Sequence, residues 1–156
     1  MNELEVQLVR LEPMRVASFH AFGQSPEHAA WAKVIAWAEP RGLVGEPLDG
    51  RIFGFDNPAP SPGSPNYGYE FWIAVGPDVQ PDGQVTIKRF PGGLYAVTRC
   101  KGLHTLGDTW HQLCTWRHNG KYKCAGHQWL EGHVGPVLKE TKDEELVLDL
   151  YMPIAE

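Results

Sequence analysis

Twelve residues, KCAGHQWLEGHV from Lys123 to Val134, hold a cysteine, two histidines and a glutamate, and HQLC from His111 to Cys114 lies just upstream. Thiol, imidazole and carboxylate groups this close together suit metal binding, proton transfer or attraction of a cation. The spacing His111-x2-Cys114 followed by Cys124-x2-His127 imitates a four-ligand zinc site. Two arguments weigh against an ion. Cys114 falls beside Leu113 on the apolar stripe of a predicted helix, where a thiol behaves as a small buried hydrophobe. His127 and His133 lie about 20 Å apart in a strand rising ~3.3 Å per residue, too far to close around one ion. No metal and no cofactor is expected.

In a strand, alternate residues share a face, which sorts the stretch differently. His127, Trp129, Glu131 and His133 fall on one side; Gln128, Leu130, Gly132 and Val134 fall on the other. In the last predicted strand Leu146, Leu148, Leu150 and Met152 form an apolar face that should meet helices, so Val147, Asp149 and Tyr151 point away. Tyr151 is therefore expected on the face of Glu131. In YGYEFWIAV, the side formed by Tyr67, Tyr69, Phe71, Ile73 and Val75 opposes Glu70, Trp72 and Ala74, and Trp72 is expected to wall the same groove.

The chemistry of such a groove follows from its residue types. Trp72, Tyr95, Trp129 and Tyr151 would make it electron-rich, and Glu131 would attract a cation or a hydrogen-bond donor. A carboxylate among indoles also has a raised pKa, which suits a general base that activates water. Tyr151 or His133 would then protonate the leaving position. Glu70 and Asp149 are weaker candidates, and Trp110 is expected in the core.

These residues must be positioned by a regular framework. Extended segments are predicted over Leu4 to Leu11, Met14 to Phe22, Arg51 to Phe55, Tyr67 to Val75, Gln84 to Phe90, Leu94 to Lys101, Gln128 to Val134 and Leu146 to Ile154. SPEHAAWAKVIAWAEPRG reads as a helix that Ser25 can cap, with Pro26 in the first turn and Pro40 and Gly42 ending it. Leu106 to Trp116 reads as a second helix. DNPAPSPGSPN is a proline-rich loop. The order strand, helix, strand, strand occurs twice with similar lengths, so a duplicated unit about a pseudo-twofold axis is expected. The fold class is then α+β: an antiparallel sheet with both helices on one face, leaving the other face or the seam between halves to bind.

The totals narrow the partners. A chain of 156 residues, 42% hydrophobic and 21% charged, matches one folded soluble domain spanning residues 1–156. The net charge of −5, with no run of Lys or Arg, argues against nucleic acid. No segment reads as a membrane span or a secretory signal, and three unevenly spaced cysteines fit a reducing cytoplasm. Six tryptophans favour a pocket for a flat small molecule. A homodimer or a protein partner is left open.

FPGGLYAVTRCKG, a helix bearing LGDTWHQL, then HQWLEGHV and LVLDLYMPI together resemble the C-terminal half of the GyrI-like small-molecule-binding domain. That domain is also the effector-binding module of some AraC-type and MerR-type regulators. MRVASFHAFG and YGYEFWIAV resemble its first-half strands, so the likeness spans almost the whole chain. The resemblance implies a hydrophobic groove between halves, walled by aromatics, with an acidic residue at its floor, and Glu131 is the matching position. Where the family often has glutamate, one residue, then tyrosine, this chain has Glu131-Gly132-His133. With the domain filling the chain, a stand-alone relative without a DNA-binding module is expected. The resemblance implies binding of a flat aromatic or cationic compound, for sensing or sequestration. The alternatives it carries are a hydrolase opening electrophilic, cyclopropane-bearing compounds, with Glu131 and Tyr151 as catalytic residues, and an interaction module of the gyrase-inhibitor kind.

Overall fold

A computed structural model describes residues 4–48, 51–81 and 85–156. Its first half carries β1 (Gln7–Leu11), β2 (Met14–Gly23), α1 (Pro26–Ala38), β3 (Ile52–Asp56) and β4 (Tyr67–Ala74). The second carries β5 (Thr86–Phe90), β6 (Gly93–Lys101), α2 (Leu106–Asn119), β7 (Lys123–Cys124), β8 (Leu130–His133) and β9 (Val147–Ala155). Leu4 to Val6 and Gln128–Trp129 lie outside strands, and of the predicted Gln84 to Phe90 segment, Gln84 lies outside the described residues. Ser25 stands at the N-cap of α1 but its side chain makes no capping bond. Gly42, at φ 72°, closes the turn that follows the helix.

The strands form one antiparallel sheet in the order β1-β6-β9-β8-β3-β4-β2-β5, with β7 added to β9. The expected repeat is visible in that order. β3 and β8 are the central pair, flanked outward by β4 and β2 on one side and by β9 and β6 on the other. The leading strands cross over: β1 pairs with β6 and β5 with β2. Both junctions share a single register, with Leu11 opposite Gly93 and Met14 opposite Phe90, so β1–β2 and β5–β6 form one continuous bent ribbon. Pro13, Pro91 and Gly92 mark the bend. A Cβ on Gly92, at φ 80°, would lie 2.3 Å from the Leu11 carbonyl oxygen, which is why the two chains approach so closely there. The ribbon joins the two ends of the order and curls the open sheet.

Pairing across the ladders separates two faces, because opposed residues in an antiparallel pair point the same way. One face carries Ala17, Phe19, Ile52 and Ile73 under α1, which packs on β2 and β4. Across the centre it carries Ala96, Cys100, Leu150 and Met152 under α2, which packs on β6 and β9. Both helices therefore sit on one face, over different halves, and the seam between them runs along β3 and β8. The opposite face is filled: Val16, Phe53, Phe55, Trp72, Phe90, Tyr95, Val97, Leu130 and Tyr151 form a separate buried cluster, with Val9, Leu11 and Met14 of the ribbon packed against it. Among the described residues no helix is long and apolar enough to cross a membrane.

Candidate functional site

Glu131 lies in β8 opposite Gly54 of β3 and Leu150 of β9, on the face that carries the helices and in the seam between them. The Tyr69 hydroxyl donates to its Oε1 at 2.7 Å and the Trp110 indole N–H donates to Oε2 at 3.1 Å. One donor comes from β4 of the first half and the other from α2 of the second. Tyr69 is 6% exposed and reaches Glu131 by crossing β3 above Gly54, where a Cβ would stand 2.3 Å from the tyrosine oxygen. Glycine at position 54 is thus the local condition for that bond.

A cavity of about 280 Å³ opens at this point, lined by Gly54, Phe55, Asp56, Trp110, Gln128, Trp129 and Glu131. It occupies the notch left where the pairing of β3 with β8 stops at Gly54. Trp110 and Trp129 meet at a tilt, ring centres 5.4 Å apart, and Trp129 is 37% exposed. On the α1 side, Tyr69 packs edge-on to Phe71 at 5.0 Å and Phe71 to Trp31 at 5.1 Å. The seam is therefore aromatic on both sides with a carboxylate between them.

Burial pushes the Glu131 carboxyl above its ordinary range; the bonds from Tyr69 and Trp110 oppose this, while the charges of Asp56 and Glu27 reinforce it. Burial also raises Asp56, as does the charge of Glu27. The Tyr67 hydroxyl donates to Glu27, and burial, that bond and the neighbouring carboxylates push the phenol up to about 12. Burial and the Glu131 charge hold Tyr69 well above the usual phenol range, so it stays a proton donor. Three carboxylates thus act on one region, and among the described residues no ion pair involves Glu131.

Of the residues expected to share the site, Trp129 and Glu131 are brought together. Tyr151 is not: it pairs with Leu130, not Glu131, so it points to the opposite face. There it packs against Phe53 at 5.5 Å and Tyr95 at 5.6 Å. Trp72 belongs to that same cluster, through Phe53 and Gly132 in register, and its indole N–H donates to Glu70. Tyr95 is fully buried there, donating to the Gln128 carbonyl at 2.5 Å. The correction has one cause: Glu131 lies on the helix-bearing face, opposite Gly54 and Leu150, whereas Trp72, Tyr95 and Tyr151 all lie on the other face of the sheet. His133 does lie on the face of Glu131, but it is packed against Trp31 at 5.0 Å, faces the Pro136 carbonyl and does not line the cavity. His127 contacts the Leu94 carbonyl and the Tyr95 ring. Among the described residues no group of three or more His, Cys, Asp or Glu side chains is placed to hold an ion.

Trp110, expected in the core, proves to be a direct partner of Glu131, and Tyr69 and Asp56 were not singled out from sequence. A signal for Tyr69 existed: it sits in a strand face with Phe71 and Ile73 while lying next to Glu70, and a tyrosine within an apolar face needs a partner for its hydroxyl. Nothing local distinguishes Trp110 from any other helix-stripe tryptophan.

The family model described as integron-associated effector binding protein, Cass2, matches residues 7–154. No curated protein sequence matches the chain. Solved structures share the fold at low identity. The EcmrR C-terminal domain superposes with a TM-score of 0.71 at 15% identity, over 98% of each chain. In the EcmrR–DNA complex this chain spans 57% of the EcmrR chain. SAV2435, solved bound to tetraphenylphosphonium, gives 0.59 at 16% identity over 97% of this chain and 94% of that one. An integron cassette protein of Vibrio cholerae gives 0.56 at 10% identity, over 96% and 95%.

Proposed function

The chain belongs to the integron-associated effector-binding family, and we propose that it binds an aromatic cation in the seam between its two halves, with Glu131 as the charge partner. The observation that carries this reading is the uncompensated carboxylate: Glu131 is held by two neutral donors, its ionised form is disfavoured by burial, and two further carboxylates act on it. A ligand cation would relieve that cost, and a delocalised one does so with the least loss of its own hydration. Trp110 and Trp129 offer indole faces, each worth about 0.5–2 kcal/mol to a cation. The cavity of about 280 Å³ suits part of a drug-sized molecule, the rest lying along the exposed Trp129 ring. Tetraphenylphosphonium, the compound bound to SAV2435, is an aromatic cation of this charge class, tetrahedral rather than flat.

The test is a titration of intrinsic tryptophan fluorescence with tetraphenylphosphonium and with a neutral tetraphenyl analogue of the same shape. Glu131→Gln should weaken the cation by at least about tenfold and leave the neutral analogue nearly unchanged. Equal affinities for cation and neutral analogue in the native protein would refute the reading.

The raised pKa of Glu131 supports a second reading, hydrolysis of an electrophilic compound. Glu131 would take a proton from water as the water oxygen bonds to the electrophilic carbon, and the departing group would be protonated from Tyr69, which already donates to Glu131 at 2.7 Å. Tyr151 cannot take that part from the opposite face. Product formation abolished by Glu131→Gln while ligand binding survives would support this second reading.

A further inference from the structure

We propose that a second cavity, on the other side of the β3–β4 hairpin from Glu131, binds a small organic molecule through an oxyanion, a carboxylate or a phosphate. The cavity has a volume of about 360 Å³ and is built around Glu70, a residue only 1% exposed. Glu70 faces away from Glu131, since it lies next to Tyr69 in β4. Its carboxylate is fully engaged. Oε2 accepts from Ser18 at 2.7 Å, Trp72 at 2.5 Å and Lys88 at 2.8 Å, and Oε1 accepts from Asn57 at 2.9 Å. Burial pushes this carboxyl up, but the bonds from Lys88, Ser18, Asn57 and Trp72 more than offset it and hold it below the ordinary range. A carboxylate with four donors has little left to offer a cation.

What the cavity does present is the reverse: donors and positive charge. The Lys88 ammonium uses one of its three N–H groups on Glu70 and neutralises it, and its side chain is 42% exposed. Lys33 reaches in from α1, where its ammonium donates to the His20 backbone carbonyl at 2.5 Å. Thr86, opposite Ser18 in the ladder, adds a hydroxyl to the same wall. With Glu70 cancelled by Lys88, Lys33 leaves the wall with net positive charge in a protein whose overall charge is −5. Two ammonium groups and a hydroxyl around a rigid, hydrogen-bonded floor are the donors an oxyanion requires, and the volume admits a small molecule carrying one. The two cavities are thus of opposite polarity and share a wall: Asp56 and Tyr69 act on the first, Asn57 and Glu70 on the second.

The experiment is a titration of isotope-labelled native protein with benzoate, and separately with inorganic phosphate, followed by amide chemical shifts. Saturable shifts concentrated at Ser18, His20, Thr86 and Lys88 are expected with at least one probe. Saturation by benzoate alone supports a carboxylate ligand, by phosphate alone a phosphate ligand, and by both the shared chemistry. Lys33→Met and Lys88→Met should each weaken binding about tenfold, the loss expected for one charge-assisted bond. Among the described residues Lys33→Met breaks a bond to a backbone carbonyl and no ion pair, so it keeps the test decisive if Lys88→Met loses stability. Failure of both anions to saturate these amides, or saturation unaffected by Lys33→Met, overturns the proposal.

Discussion

Gly54→Ala tests how the site is built without touching a residue that would meet a ligand's charge. The new methyl would stand 2.3 Å from the Tyr69 oxygen and 2.7 and 2.8 Å from two ring carbons. Normal contact lies near ~3.5 Å, so the ring must retreat by about 1 Å in a packed environment. Tyr69 is 6% exposed, its hydroxyl lies 2.7 Å from Glu131 and its ring is wedged against Phe71, so that retreat breaks the hydrogen bond. Overpacking costs about 1–3 kcal/mol, and loss of a hydrogen bond to a charged group about 1.5–3 kcal/mol. Gly54→Ala should therefore destabilise by about 2.5–6 kcal/mol, and Tyr69→Phe, which removes the bond alone, by about 1.5–3 kcal/mol. The bond can be lost only once. The double variant should then cost less than the sum of the two by about 1.5–3 kcal/mol in urea denaturation. Additivity within about 0.5 kcal/mol would refute the claim that Gly54 exists to admit the Tyr69–Glu131 bond.

Three further outcomes follow from the two carboxylates and the two faces. Glu131 titrates above its ordinary value of 4.5 in the fold, so the native protein loses stability as pH rises through the window between them. Glu131→Gln should gain on the native protein across that window, measured as the difference in Tm against pH, and a flat difference would contradict it. Glu70 titrates below 4.5, so its stabilisation is complete above that value and is lost as pH falls through the folded pKa. Glu70→Gln should cost about 3 kcal/mol near neutrality, because a single carbonyl cannot serve four donors, with the deficit shrinking in acid denaturation series. Tyr151→Phe should leave the affinity for tetraphenylphosphonium within about twofold, whereas Trp129→Ala should lower it by about 3- to 30-fold in the same fluorescence titration.

Much of the framework was legible in the sequence because its signals are local. Pro26 and Gly42 bracket α1, the apolar periods of 2 and 3.6 locate the long strands and both helices, and the twofold order of elements emerges from lengths alone. The site was legible in part. Alternation put Trp129 with Glu131, and the resemblance singled out the glutamate. It could not place Tyr151, Trp72 or Tyr95, since alternation sorts residues within a strand but says nothing about which face of one strand meets which face of the next. The expectation that Leu150 faces a helix was right, and its pairing with Glu131 is what turns Tyr151 away.

The partners of Glu131 lie 62 and 21 residues away in the chain, on different elements and in different halves. Sequence by itself determined the duplicated α+β frame and an acidic residue among aromatics, because both rest on residue types and short spacings. Only the tertiary structure decided which aromatics surround that acid. The choice depends on the register of β8 against β3 and β9, on the seating of α2 over its half of the sheet, and on a glycine that leaves room for a tyrosine from the neighbouring strand.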